Sequence, residues 1–290
     1  MTPCDPFGFA SVLLLHFDGA DGDAVTNDSS TYGWPITFGG NVGIPTISVA
    51  QQEFGPSSLQ LVPPNSAGDH WVNTPVVPGS ALDVISDVGG VPPDFTIEFW
   101  FYIGGPGTGV VLCDFGSSDD YSNTIGLQLA CLSDPDSIGV APSIPFWSQI
   151  EHQTVVTDDV WHHYALVRAS GVVHLYLDGV QDSGLGVTDW SGFTAAPGGF
   201  VWVGSSPLVG GGGISSNSYI DEFRVSNVAR YTATFVPSVT AFGQQCAPIG
   251  GDASGGFRLA RAFAPVMLAN ASSINPKIYM PVENTTVRAK

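Results

Sequence analysis

The stretch WHHYALVRASGVVHLYLDGV, Trp161 to Val180, reads as two short strands and two turns. Side chains alternate across a strand, so His163, Ala165 and Val167 share one face, and His162, Tyr164, Leu166 and Arg168 the other. After a turn at Ala169-Ser170-Gly171, Val173, Leu175 and Leu177 form an apolar inner face, with Val172, His174 and Tyr176 outside. Asp178-Gly179 is a hairpin signal, because Gly takes positive φ freely and Asp tolerates it. His162 and His163 point to opposite sides of a regular strand and cannot ligate one metal without distortion. The pair reads as scaffold, its ring nitrogens bonded to backbone or carboxylate.

The same alternation runs outward from this hairpin. In FTIEFWFY, Phe95, Ile97, Phe99 and Phe101 point one way, and Thr96, Glu98, Trp100 and Tyr102 the other. A strand with one apolar and one mixed face fits a sheet packed on a second sheet. Further strands are predicted at Val12–Phe17, Ser58–Val62, Val110–Phe115, Ile125–Ala130, Gly199–Gly204 and Tyr219–Ser226. The chain's 36 Gly and 22 Pro leave few stretches long enough for a helix. The prediction is an all-β protein, a two-sheet antiparallel β-sandwich of the jelly-roll kind, with an extended C-terminal arm.

Only 12% of the 290 residues are charged, so the surface must be built largely from small polar residues and backbone. Residues 1–167 hold 19 acidic residues and no Lys or Arg; the other 123 hold 8 basic and 7 acidic, for a net charge of −18. An acidic body repels phosphate backbones, which argues against nucleic acid as a partner. No run of about 18 apolar residues exists to span a membrane. The N-terminus lacks the basic start and long apolar run of an export signal. Cys4, Cys113, Cys131 and Cys246 have no CxxC spacing, which makes a zinc site improbable. Cys113 could face Cys131 and Cys4 could meet Cys246, or all four could be free thiols of a reducing compartment.

Four parts are expected: an N-terminal segment 1–10, a β domain 11–242, a Gly-rich linker 243–256 and an arm 257–290. The arm is too short for a core of its own. Its apolar residues, with its basic ones, fit docking on a partner through Arg258, Arg261, Phe263, Met267, Lys277, Tyr279 and Arg288. The alternative is that it packs back on its own domain.

LLLHFDGADGD with a following NDSS, EFGPSSLQL, FTIEFWFY, WHHYALVR with VHLYLDG, and YIDEFRVSNVARYTATFVPS occur in that order. Together they resemble the laminin-G-like family of concanavalin A-type jelly rolls, over about residues 11–242. The nearest likeness is to versions found in bacteriophage virion proteins. The resemblance implies a non-enzymatic structural protein on the phage particle surface, as capsid decoration or a tail or fibre component. Its partners would be other virion proteins and further copies of itself, and it would be synthesised in the host cytoplasm. The alternative is a carbohydrate-binding module or adhesin for host glycans.

Catalytic members of the wider fold carry paired glutamates spaced ExDxxE as acid and nucleophile. This chain has five glutamates, Glu53, Glu98, Glu151, Glu222 and Glu283, and no such motif. Asp221 and Glu222 are adjacent and would point to opposite faces of a regular strand, so no enzyme activity is expected. Asp18, Asp21 and Asp23 crowd one turn with Asp28 soon after, which suits Ca²⁺ or ordinary turn chemistry. Relatives of this fold often hold one structural Ca²⁺ between the first and last strands; the resemblance would place it at Asp18 and Asp221. Asp114, Asp119 and Asp120 form a weaker acidic cluster. For sugar contact, Trp71, Trp147 and Trp190, in loop-like stretches, and Tyr121 are the candidate aromatics.

Overall fold

The computed structural model describes residues 5, 7–41, 43–61, 70–85, 93–104, 110–116, 127–133, 136–141, 150–151, 156–182, 188–189, 199–204 and 217–243. Side chains are described at all of these except 110–111, 116, 127–133, 136–141, 150–151 and 188–189. In chain order the strands are β1 (Ser11–Leu15), β2 (Thr37–Gly40), β3 (Thr46–Ser48), β4 (Ser58–Gln60), β5 (His70–Val76), β6 (Phe95–Ile103), β7 (Val110–Gly116) and β8 (Leu127–Ser133). They continue as β9 (Asp136–Ala141), β10 (Ile150–Glu151), β11 (Trp161–Ala169), β12 (Val172–Leu177), β13 (Val180–Gln181), β14 (Thr188–Asp189), β15 (Gly199–Gly204) and β16 (Ser218–Ser226).

Among the described residues these make two antiparallel sheets. The nine-stranded sheet runs β13-β12-β11-β6-β16-β4-β3, with β1 also on β16 and β14 on β12; the seven-stranded sheet runs β10-β9-β8-β7-β15-β5-β2. The sandwich expected from the alternation is therefore the fold. No helix among the described residues is long and apolar enough to cross a membrane.

The inner faces are those the period-2 pattern marks. Phe95, Ile97, Phe99, Phe101, Tyr164, Leu166, Val173, Leu175 and Leu177 join one core with Val72, Leu112, Phe115, Val201 and Val203 of the other sheet. Phe99 lies against the rings of Phe101, Tyr164 and Phe223, and emptying such a site costs about 3–5 kcal/mol. β11 pairs with β6 without a break from Trp161 to Arg168. Ser170 (φ 53°) and Gly171 (φ 85°) turn the chain from β11 to β12, and Asp178 (φ 50°) and Gly179 (φ 74°) from β12 to β13. Two consecutive positive φ values match the right-handed twist of the paired strands.

The outer face of the nine-stranded sheet is covered by the strap that follows β16. Ala229, Tyr231 and Phe235 pack on Ala165, Val167 and Tyr176, while Phe242 packs with Leu14 and Trp100. The Phe235 N–H donates to the Gly179 carbonyl at 2.9 Å. A Cβ at Gly179 would run into the Phe235 carbonyl, so this turn needs glycine for space as well as for φ.

Several expectations are corrected. β1 stops at Leu15 rather than Phe17, because Phe17 takes φ 58° and leaves the ladder. The predicted Ile125–Ala130 strand is Leu127–Ser133. Trp71 is on β5, not in a loop. Cys131 stands opposite Val110, and Cys113 opposite Leu129, so they are not register partners; Cys113 is a buried free thiol. Tyr121, Trp147, Trp190, Asp119, Asp120, Cys4 and Cys246 lie outside the described residues. So do the linker beyond Gly243 and the arm residues Arg258, Arg261, Phe263, Met267, Lys277, Tyr279 and Arg288.

Candidate functional site

Three groupings of polar or aromatic side chains stand out. The first is the charge network under the strap. Glu98 is fully buried, and its Oε1 accepts from Arg224 Nε (2.9 Å) and stands 2.8 Å from Arg224 Nη2. Its Oε2 accepts from the Tyr231 hydroxyl at 2.8 Å and lies 3.4 Å from His163 Nε2. Asp5 Oδ2 accepts from Arg224 and Arg230 at 2.8 Å each, and the Arg224 guanidinium lies 3.9 Å over the Phe242 ring. Burial raises the Glu98 carboxyl, but Arg224, His163 and Arg230 outweigh it and hold the group far below the usual carboxylate range. These groups saturate one another and leave no carboxylate for a substrate. The network fastens both ends of the domain to the sheet.

His162 is likewise held as scaffold: its Nδ1 lies 2.8 Å from Asp178 Oδ2, and the His163 N–H donates to Asp178 Oδ1 at 2.9 Å. The two rings leave the strand on opposite sides, His162 against Phe101 and His163 against Trp100.

The second grouping is at the β1–β16 edge. Glu222 takes φ 53°, and the register of β16 on β6 slips between Asp221 and Arg224. This bulge puts Asp221 and Glu222 on the same side of the sheet, which corrects the opposite-face expectation. Glu222 bonds His16 Nδ1 at 2.8 Å and accepts from the Phe242 N–H at 2.7 Å. Asp221 accepts three N–H groups, from Glu53 and Phe54 at 3.0 Å and Glu222 at 2.9 Å. Burial and neighbouring Glu222 push Asp221 up to about 8 against the pull of those donors. The Asp18 carboxylate fills the space beside Gly55 where a side chain would stand.

Asp18 and Asp221 are thus brought to one edge, but their surroundings do not fit calcium. Ca²⁺ takes six to eight oxygens, whereas the Asp221 oxygens are spent on backbone donors. Among the described residues no group of three or more His, Cys, Asp or Glu has the geometry to hold a metal. The neighbouring acids do turn chemistry: Asp28 accepts from Leu14, Ser30 and Trp34 N–H groups, Asp23 from Ala20, and Asp21 from Val49.

The third grouping is the outer face of the seven-stranded sheet. Val201 and Val203 of β15 enter the core, so Phe200 and Trp202 face outward. On β5, Val72 and Val76 enter the core, and Trp71, Asn73 and Pro75 face outward and stay partly exposed. Register aligns them: Trp202 stands opposite Asn73 on one side and Asp114 on the other, and Trp71 stands between Gly39 and Gly204. The Trp71 indole fills the space over Gly39, where a Cβ would meet Nε1 and Cε2. Trp71 and Trp202 meet edge to face at 5.6 Å, and Phe200 and Trp202 lie 4.9 Å apart. Trp202 is 5% exposed and its Nε1 is buried with no acceptor among the described residues. A buried donor left unpaired calls for an explanation.

Of the four predicted sugar-contact residues, the structure places Trp71 in this cluster. Phe200, Trp202 and Asn73 escaped sequence reading, although GFVWVG carried the signal: two aromatics on the side of a strand opposite two core valines.

The sequence of residues 71–234, more than half of the chain, matches the family model described as the concanavalin A-like lectin/glucanases superfamily. The chain belongs to that superfamily. A search of curated proteins found no match. Among solved structures, this superfamily member is similar to the binding domain of botulinum neurotoxin DC in complex with rat synaptotagmin II. The identity is 13% and the TM-score 0.50, over 78% of this chain and 50% of that one. The same binding domain in complex with SialylT gives 13%, 0.51 and the same coverage. Trypanosoma rangeli sialidase in complex with sialic acid gives 14% and 0.52, over 77% of this chain and 31% of that one. The chain spans half or less of each of these structures, and identities this low establish shared fold alone.

Proposed function

We propose that the domain is a non-enzymatic carbohydrate-binding module whose contact face is the aromatic outer face of the seven-stranded sheet. The observation that carries this is the cluster of Trp71, Trp202 and Phe200, set beside Asn73 and Asp114. A pyranose has an apolar C–H face and a rim of hydroxyls. Indoles supply an apolar body with a polar N–H, and the flanking, partly exposed Asn73 amide supplies hydrogen bonds that fix orientation. The similar neurotoxin domain and sialidase were solved with SialylT and sialic acid; that precedent supports glycan contact on this fold.

The carboxylates of the strands that carry the cluster support binding without turnover. Hydrolysis by the paired route needs two of them flanking the bond, and β2, β5, β7 and β15 carry one, Asp114. Glu98 is committed to the arginines under the strap.

The test is a glycan array with the full chain and with Trp71→Ala. Trp71 is partly exposed, so the variant should keep its fold by circular dichroism. Its affinity for any bound glycan should drop about tenfold or more, ~1.4 kcal/mol or above. Undiminished binding by a folded Trp71→Ala would refute the assignment of the face.

Display on a bacteriophage particle, which the motif resemblance implies, is the second reading, and the charge-poor composition, 12%, favours it. Such a module on a particle would contact host-surface glycans. Mass spectrometry of purified particles is its test, and absence of the chain from them would refute it.

A further inference from the structure

We infer that the outer face of the nine-stranded sheet carries a second binding site, a row of aromatic rings that receives an arginine-bearing segment of a partner protein. The site is independent of the sugar-contact face, which lies on the other sheet.

Register makes the row. Trp161 stands opposite Tyr102, Tyr102 opposite Tyr219, Tyr219 opposite Gln60 and Gln60 opposite Thr46, so one line crosses β11, β6, β16, β4 and β3. Their chain neighbours Phe101, Ile103, Ile220, Leu59 and Ile47 enter the core, so the row faces outward. The strap's Phe242 packs at the next row, on Trp100, with Trp161 against the edge of that cluster. Trp161 and Tyr102 stay partly exposed, while Tyr219 and Gln60 are buried and support them.

Ring geometry and charge choose the ligand. Trp161 and Tyr102 lie 5.7 Å apart with planes inclined at 54°, and Tyr102 and Tyr219 lie 5.9 Å apart at 75°. Inclined planes make no common platform for a flat sugar ring. They leave separate ring faces, and the face of Trp or Tyr attracts a cation. Carboxylates stand at the rim. Asp159 is exposed, and its Oδ1 accepts from the Tyr102 hydroxyl at 3.1 Å. A carboxylate has about four acceptor sites, so an exposed one that accepts a single bond can take a further donor. Asp21 is exposed at the other end; burial and then its charge push the Tyr219 hydroxyl up.

Residues 1–167 contain no Lys or Arg. The described arginines are spent elsewhere: Arg224 and Arg230 on Glu98 and Asp5, and Arg168, toward the far end of β11, on the Pro93 carbonyl. Aromatic faces and acids without a cation of their own fit a guanidinium, which stacks on rings and donates to carboxylates. The net charge of −18 steers a basic segment toward the domain.

The test is fluorescence anisotropy of the full chain with a short labelled peptide of alternating Gly and Arg, at physiological salt. A Gly–citrulline peptide is the uncharged match. The arginine peptide should bind and the citrulline peptide should not. Asp159→Asn and Tyr102→Leu, checked for fold by circular dichroism, should each weaken binding about threefold to tenfold. Asn tolerates the positive φ of Asp159, 60°, so the first variant keeps its turn. Asp94→Asn removes the same charge just before β6, roughly 25 Å from Tyr102 by strand rise. At that distance salt screens it, and affinity should stay within about twofold. Equal weakening by Asp94→Asn and Asp159→Asn would mean adsorption to overall charge and would overturn the site. Unchanged affinity in both site variants, or no binding of the arginine peptide, would overturn it too. Loss of a neutral glycan rather than the peptide in Tyr102→Leu would make the row a sugar site and overturn the arginine assignment.

Discussion

Replacing Glu98 by Gln tests whether the buried charge network fastens the strap. The side chain keeps its shape and loses its charge, which leaves Arg224 and Arg230, 5% and 3% exposed, with Asp5 as their remaining carboxylate. Breaking a buried pair by removing one partner costs about 3–5 kcal/mol, because the other charge is stranded. Asp5 still compensates in part, so the lower end, about 3 kcal/mol, is expected. For a domain of this size that is a fall in Tm of about 6–12 °C, or about 1 M in the urea midpoint. Urea unfolding followed by fluorescence measures it. If the loss comes from the stranded charge, adding Arg224→Met should recover part of it. The sign of the pH dependence is fixed by the lowered carboxyl. The contribution is present above the unfolded Glu value, about 4.3, and is lost as pH falls through the folded value below it. A loss under about 1 kcal/mol, the range of exposed ion pairs, with no recovery in the double variant, would refute the reasoning.

Three further outcomes are expected. For His16 and His162, burial is outweighed by Glu222 and Asp178, and both pKa values are raised. Their contribution is present below the unfolded value near 6.5 and is lost as pH rises through the folded values, so urea midpoints should decline across that window; a His16→Gln/His162→Gln variant should lack this slope. Gly179→Ala meets both a positive φ and the Phe235 carbonyl, with about 1–3 kcal/mol of backbone strain alone; faster limited proteolysis between residues 227 and 242 is the readout. Cys113 is buried and its thiol pushed well up by that burial, so a thiol reagent should label it only at the unfolding rate.

The sequence made the centre of the nine-stranded sheet legible because β6, β11 and β12 alternate cleanly between core and exterior. β5 was hidden: HWVNTPV breaks its apolar run with Asn73, Thr74 and Pro75, and proline ordinarily argues against an interior strand. Pro75 is tolerated because β2 pairs with β5 only from His70 to Asn73. Missing β5 turned Trp71 from a residue of an interior strand, between β15 and β2, into a supposed loop residue. Sequence spacing also misplaced Glu222, because no local pattern announces that one non-glycine residue will take positive φ and slip the register. Phe200 and Trp202 were visible as letters, but their juxtaposition with Trp71 depends on which strands become neighbours, a long-range fact.

The salt-linked anchor at Asp5 and the packed ring of Phe242 lie on the same outer side of the sandwich, both touching Arg224. The indoles lie on the other. Trp71 and Trp202 thus look away from the face that both anchors hold, as a palm faces away from the back of the hand.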